Sequence, residues 1–72
     1  MPDEFALLAR VIREDIVEAM ELAHRGLTAP EIAAEIGMSA PSVMPRLEEL
    51  RVEGQVKRRS RKGRVVWTLI GH

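Results

Sequence analysis

The side chains best equipped for chemistry fall in the last third of the chain, Gln55-Val56-Lys57-Arg58-Arg59-Ser60-Arg61-Lys62-Gly63-Arg64-Val65-Val66-Trp67-Thr68-Leu69. Lys57, Arg58, Arg59, Arg61, Lys62 and Arg64 place six cations and no acid between residues 55 and 72. A guanidinium is a rigid fork of donors that grips phosphate in bidentate fashion or enters a narrow minor groove. The chemistry on offer is therefore capture of a phosphate backbone. Lys and Arg also serve on edge strands simply to resist aggregation, but six without an interspersed acid exceed that need. Catalysis finds no foothold in the same sequence. His24 and His72 have no metal-ligand spacing, and His24 suits a solvated helix C-terminus. Glu48 and Glu49 are neighbours, so on a helix their side chains diverge by about 100° and cannot share a proton. There is no cysteine and no Gly-rich phosphate loop. Neither an enzyme nor a bound metal or cofactor is expected.

Composition sharpens this. The net charge is zero, but residues 1–36 hold three basic against eight acidic groups and residues 37–72 hold eight basic against three acidic. The halves thus balance at −5 and +5, which implies a cationic face at one end rather than a protein that coats nucleic acid everywhere. With 72 residues, a single domain spanning 1–72 is expected, burying only about 60% of its unfolded surface and therefore marginal in stability. Apolar content of 46% excludes disorder, and with Phe5 and Trp67 the sole aromatics the core must be aliphatic. The most apolar window, Phe5 to Ile12, carries Arg10 and is too short to span a bilayer. No leader cleavage site follows it, and the lack of cysteine fits a reducing compartment. The expected location is cytoplasmic, with no membrane partner.

Three helices must position these groups. The first spans roughly Asp3 to Arg25, with Phe5, Leu8, Ala9, Ile12, Ile16, Ala19, Met20 and Ala23 on one stripe. Asp3 and Glu4 suit its N-terminus, and Gly26 is expected as its left-handed cap. Leu7, Val11 and Leu22 lie beside the stripe, either as packing within the domain or as a homodimer seam. Thr28-Ala29-Pro30-Glu31 is a capping box that starts a second helix, with Ile32 and Ile36 inward and Gly37 at its end. Ser39 is expected to cap a third helix from Ala40 to Glu53, with Val43, Leu47 and Leu50 buried and Gly54 closing it. A hairpin follows, with Val56, Val65, Trp67 and Leu69 inward and Lys57, Arg59, Arg64 and Thr68 nearer solvent. Its loop is expected over Ser60 to Gly63.

Ala33-x-x-x-Gly37, flanked by Ile32, Ile36, Met38 and Val43, is a helix-turn-helix pattern. It requires a small residue where the helices touch and Gly where the chain turns. Followed by Leu47-x-x-Leu50-x-x-x-Gly54-x-Val56 and the basic hairpin, residues 16–70 resemble the bacterial and phage winged helix-turn-helix regulators, such as the MarR and ArsR families. The resemblance implies a mostly α fold with a small β part: three helices plus a two-stranded antiparallel β-hairpin wing. It implies a small transcriptional regulator that binds double-stranded DNA, and the brevity of the chain suits a phage or mobile element. The third helix would enter the major groove and the wing would follow phosphates or the minor groove. Carried over to this sequence, Ser39 and Ser42 would meet a phosphate at the helix N-terminus. Arg46 would lie in mid-helix, and Lys57, Arg58, Arg59, Arg61, Lys62 and Arg64 would form the wing contacts.

One stretch departs from that pattern. The outer face of the third helix presents Pro41, Pro45, Glu48 and Val52, flanked by Met44 and Glu49. Base edges are read by hydrogen bonds, which proline cannot offer; Met44 and the prolines could instead meet thymine methyls. Pro45 also implies a kink or an irregular first turn. The alternative is a winged helix whose Pro41-Met44-Pro45 face docks on another protein.

Overall fold

Local capping sets the element boundaries. The computed structural model describes residues 3–71 and runs α1 Glu4–Ala23, α2 Ala29–Ile36, α3 Ala40–Val52, β1 Val56–Arg61 and β2 Arg64–Leu69. His72 lies outside the described residues. Asp3 caps α1 by accepting the Phe5 N–H at 3.0 Å. The Thr28 hydroxyl accepts the Glu31 amide at 3.3 Å while the Glu31 carboxylate takes the Thr28 amide at 2.9 Å, the reciprocal capping box. That backbone hydrogen bond from Thr28, helped by Arg25, holds the Glu31 carboxyl below its ordinary value. Gly37 has φ +72°, and Met38 N–H donates to Ala33 O at 2.8 Å, which closes α2 in a Schellman turn. Gly54 (φ +78°) ends α3 in the same way, with Gln55 N–H on Leu50 O at 2.9 Å.

The end of α1 differs from expectation. His24, at φ +56°, is the left-handed cap; Gly26 serves another purpose. A Cβ there would overlap Val66 Cγ1 and come within 3.0 Å of Thr68 Cγ2. The missing side chain lets the α1–α2 corner lie against β2. Leu27 then pairs with Trp67 through two backbone hydrogen bonds of 3.0 and 2.8 Å. A one-residue third strand thus joins the expected two, fixing the helices to the hairpin.

The core is a single cluster built from all these elements: Ile16 and Met20 of α1, Leu27, Ile32 and Ala33 of α2, Val43, Leu47 and Leu50 of α3, Val56 and Trp67. Ala33, buried between α2 and α3, is the small residue the turn required. The α1 stripe is only half covered. Phe5 is 80% exposed and Leu8 57%, because the first turns of this 20-residue helix overhang the body. A 20-residue helix is about 30 Å long, longer than a two-turn partner such as α2 can cover. Val65 is exposed too, since the hairpin tip extends past the core. α3 is unbroken through Pro45; both Pro45 and Pro41, whose carbonyl loses its helical donor, face solvent, which can supply one.

The wing loop is shorter than expected. β1 and β2 pair in antiparallel register from Val56 opposite Leu69 to Arg61 opposite Arg64. Only Lys62 (φ +50°) and Gly63 (φ +77°) turn the chain, the positive pair that a two-residue type I′ connection needs. Lys62 is the strained member. Lys62→Asn is expected to raise stability by about 0.5–1 kcal/mol, because Asn enters the left-handed region more readily. Thermal or urea unfolding at high salt checks this, and a destabilised variant would contradict it.

Candidate nucleic-acid interface

Strand alternation sorts the wing cations by face. Arg58 lies opposite Trp67 and shares its face, with the guanidinium 5.9 Å from the indole centroid and an Nη1 3.4 Å from Glu48. Lys57, Arg59, Arg61 and Arg64 occupy the outer face, and Lys62 the turn. All are exposed. Among the described residues, Lys57, Arg59, Arg61, Lys62 and Arg64 make no ion pair with any carboxylate.

The third helix is the reverse. Arg51 donates twice to Glu48, at 3.0 and 2.8 Å. These hydrogen bonds, with the charges of Arg51 and Arg58, keep the Glu48 carboxyl below its usual value. Arg46 approaches Glu49 at 2.9 Å, and Arg13 of α1 donates to the same oxygen at 3.0 Å. The Arg46 Nε–H does not point at its partner, since Nε makes no hydrogen bond despite that distance; the contact is Coulombic. Arg46 is three-quarters buried, so the mid-helix cation that the resemblance placed among the DNA contacts helps tie α3 to α1. Both cations of α3 are thus paired with carboxylates.

The remaining α3 positions lie as follows. Ser39 occupies the N-cap position but makes no capping hydrogen bond; its hydroxyl pairs with that of Ser42 at 2.8 Å. The first turn of α3 consequently has no side-chain cap, and the hydroxyl pair sits exposed at its mouth. Pro41 and Pro45 are exposed, Val52 is 78% exposed, and Met44 is half-buried against the core. On α1, Leu7, Val11 and Leu22 are exposed.

One cation near the wing escaped the sequence pattern. Arg25 donates to Gly26 O at 3.1 Å and to Glu31 at 3.3 Å. With Gly26 laid on β2, it lines a cleft together with Arg59 and Arg61. The only signal was an Arg-Gly pair just before a capping box, which says nothing about the wing until the corner is folded.

Among the described residues, no helix is long and apolar enough to cross a membrane. Neither curated proteins nor solved structures yield a match for this chain. A family profile described as the IclR helix-turn-helix domain matches residues 14–60, well over half of the 72. It takes in the second half of α1, α2, α3 and most of β1; β2 lies beyond it. The match is to this type and not specifically to the MarR or ArsR regulators. The order of capped helix, glycine turn, third helix and cationic hairpin, together with this match, makes the chain a member of the IclR helix-turn-helix domain family, the DNA-binding domains of transcription regulators.

Proposed function

We propose that the domain binds double-stranded DNA with α3 in the major groove and the wing on phosphates or the minor groove. The observation that carries this is the contrast between the two elements. Five wing cations are exposed without a carboxylate partner among the described residues, whereas both α3 cations are paired. Affinity then comes mainly from the wing, as a salt-sensitive phosphate term. α3 contributes its uncapped N-terminus, with the Ser39–Ser42 hydroxyls on a phosphate. Its base reading rests on apolar contacts of Met44, Pro41 and Pro45 with thymine methyls, so discrimination between sequences is modest.

Fluorescence anisotropy of a labelled random-sequence duplex, repeated over several salt concentrations, tests the reading. Saturable binding that weakens steeply with salt is expected. Absence of binding at low salt would refute it and favour a protein partner on the Pro41-Met44-Pro45 face.

The domain acts as a homodimer in this reading, joined along α1. Support comes from the apolar side chains left uncovered there, Leu7, Val11 and Leu22, with Phe5 and Leu8 exposed on the same helix. Two copies would set the spacing of DNA half-sites. Val11→Glu is expected to halve the solution mass measured by light scattering. An unchanged mass, or a monomeric parent, would remove the seam.

A further inference from the structure

The outer face of the wing does not stand alone. Where the α1–α2 corner lies against β2, Arg25 and Gly26 form one wall of a cleft of about 590 Å³ whose other wall is Arg59, Ser60 and Arg61. A smaller recess of about 200 Å³ continues it toward the tip, adding Thr28, Lys62 and Arg64. Between them these walls carry Arg25, Arg59, Arg61, Lys62 and Arg64 against one acid, Glu31. Glu31 and Arg25 form an ion pair at 3.3 Å, and the Glu31 carboxylate also accepts from the Thr28 amide and hydroxyl, so among the described residues Arg59, Arg61, Lys62 and Arg64 are the cations of these walls without a carboxylate partner. The walls therefore carry five cations against one acid, and two exposed arginines, Arg59 and Arg61, face Arg25 across the cleft.

The shape selects among anions. The floor is Gly26, Val66 and the Thr68 methyl, with no aromatic on which a base could stack and no carboxamide to read one. The cations form a row along the strand rather than a ring, since alternate residues of a strand fall about 6.8 Å apart. A row suits an extended chain of phosphates better than a single small anion. A hairpin that enters a groove also turns one face to each wall. Here the inner face offers only Arg58, held by Glu48, so the stronger phosphate contact belongs to the outer face.

We infer that the cleft between the α1–α2 corner and the outer face of the wing is a phosphodiester-binding surface, in which Arg25 extends the wing's contact onto the helical body. The inference rests on the DNA-binding reading above and adds a residue and a surface to it. Gly26 is the device that makes the site, because any side chain there would lift Arg25 off the sheet.

The test is the dependence of affinity on salt for Arg25→Gln, using the same random-sequence duplex. Loss of one phosphate contact is expected to reduce the slope of log K against log salt by about 0.9. Arg25→Lys, which keeps the charge, is expected to keep the slope. A thermal melt of each variant shows that the fold is retained; the Thr28–Glu31 capping box does not need Arg25. Sedimentation at saturation separates the two sources of phosphate. One duplex per protein unit places the site on the flank of the same duplex, and two place it on a second one. A parental slope in Arg25→Gln overturns the inference while leaving DNA binding intact. A parent that shows no salt-dependent binding overturns both.

Discussion

Replacing Arg59, Arg61 and Arg64 together by Gln is expected to remove most of the wing's contribution to the salt dependence of DNA binding while leaving the fold untouched. Five wing cations without an ion-pair partner among the described residues, each on one phosphate, contribute about −4.5 to the slope, so raising salt from about 50 to 200 mM weakens this wing term roughly 500-fold. With Lys57 and Lys62 as the remaining wing cations the contribution falls to about −1.8, and the same change costs only about 12-fold. The three side chains are exposed and lack ion-pair partners among the described residues, so their removal falls within about ±0.5 kcal/mol in stability. Arg61 and Arg64 face each other across the strands, and relieving like charges directly opposite is mildly favourable. Because the loss concerns phosphates, it should be equal on unrelated sequences. Anisotropy titrations at several salt concentrations read all of this; a triple variant with the parental slope would mean that the wing does not hold the backbone.

Arg58 belongs to a different group despite its place in the same run. Its guanidinium is spent on Glu48 and lies over Trp67, so it links wing to α3 before any ligand arrives. The six cations look equivalent in sequence, and strand register makes them unequal. Register was available from the alternation of Val56 with Lys57 and of Trp67 with Thr68. What it could not supply was the acid on another element that Arg58 would meet.

That distinction runs through the whole chain. Features fixed by a few neighbouring residues were legible: the Thr28–Glu31 capping box, the glycine ends of α2 and α3, the buried face of α3, and Trp67 as the inward residue of β2. They depend on backbone groups within one turn or one strand. Features that need two distant segments were not. Apolar periodicity shows which side of α1 is greasy but not whether anything covers it, and Phe5 and Leu8 turned out to overhang. Gly26 looks like a helix cap locally, yet its real constraint is Val66, forty residues later. Arg46 has Glu49 one turn away, a visible pair, but Arg13 joining them across 36 residues was hidden. The DNA-facing surface is the least legible part, because it depends on which cations remain unpaired after folding.

Trp67→Ala is expected to be the most damaging single change. Trp67 is the largest fully buried side chain, and it joins three parts of the fold. Its backbone pairs with Leu27 through both hydrogen bonds of the bridge, its ring packs in the cluster with residues of all three helices, and Arg58 lies over that ring. Truncating a buried Trp costs about 3–5 kcal/mol. A domain of this size has roughly 4–11 kcal/mol in total, so a large part of the folded population is lost. In urea, with a slope near 1 kcal/mol per molar, the midpoint should fall by about 3 M or more. Trp67→Phe separates packing from polarity. The indole N–H is buried without an acceptor among the described residues, and such a group is itself costly. Phe discards that group and keeps most of the ring, so its penalty should stay below about 1.5 kcal/mol. The alanine variant should also lose DNA binding, since the wing would no longer be held against the helices. A midpoint shift under about 1 M for Trp67→Ala would show that the hairpin is anchored elsewhere, by Val56 and the α3 contacts of β1, and that the Leu27 bridge is incidental.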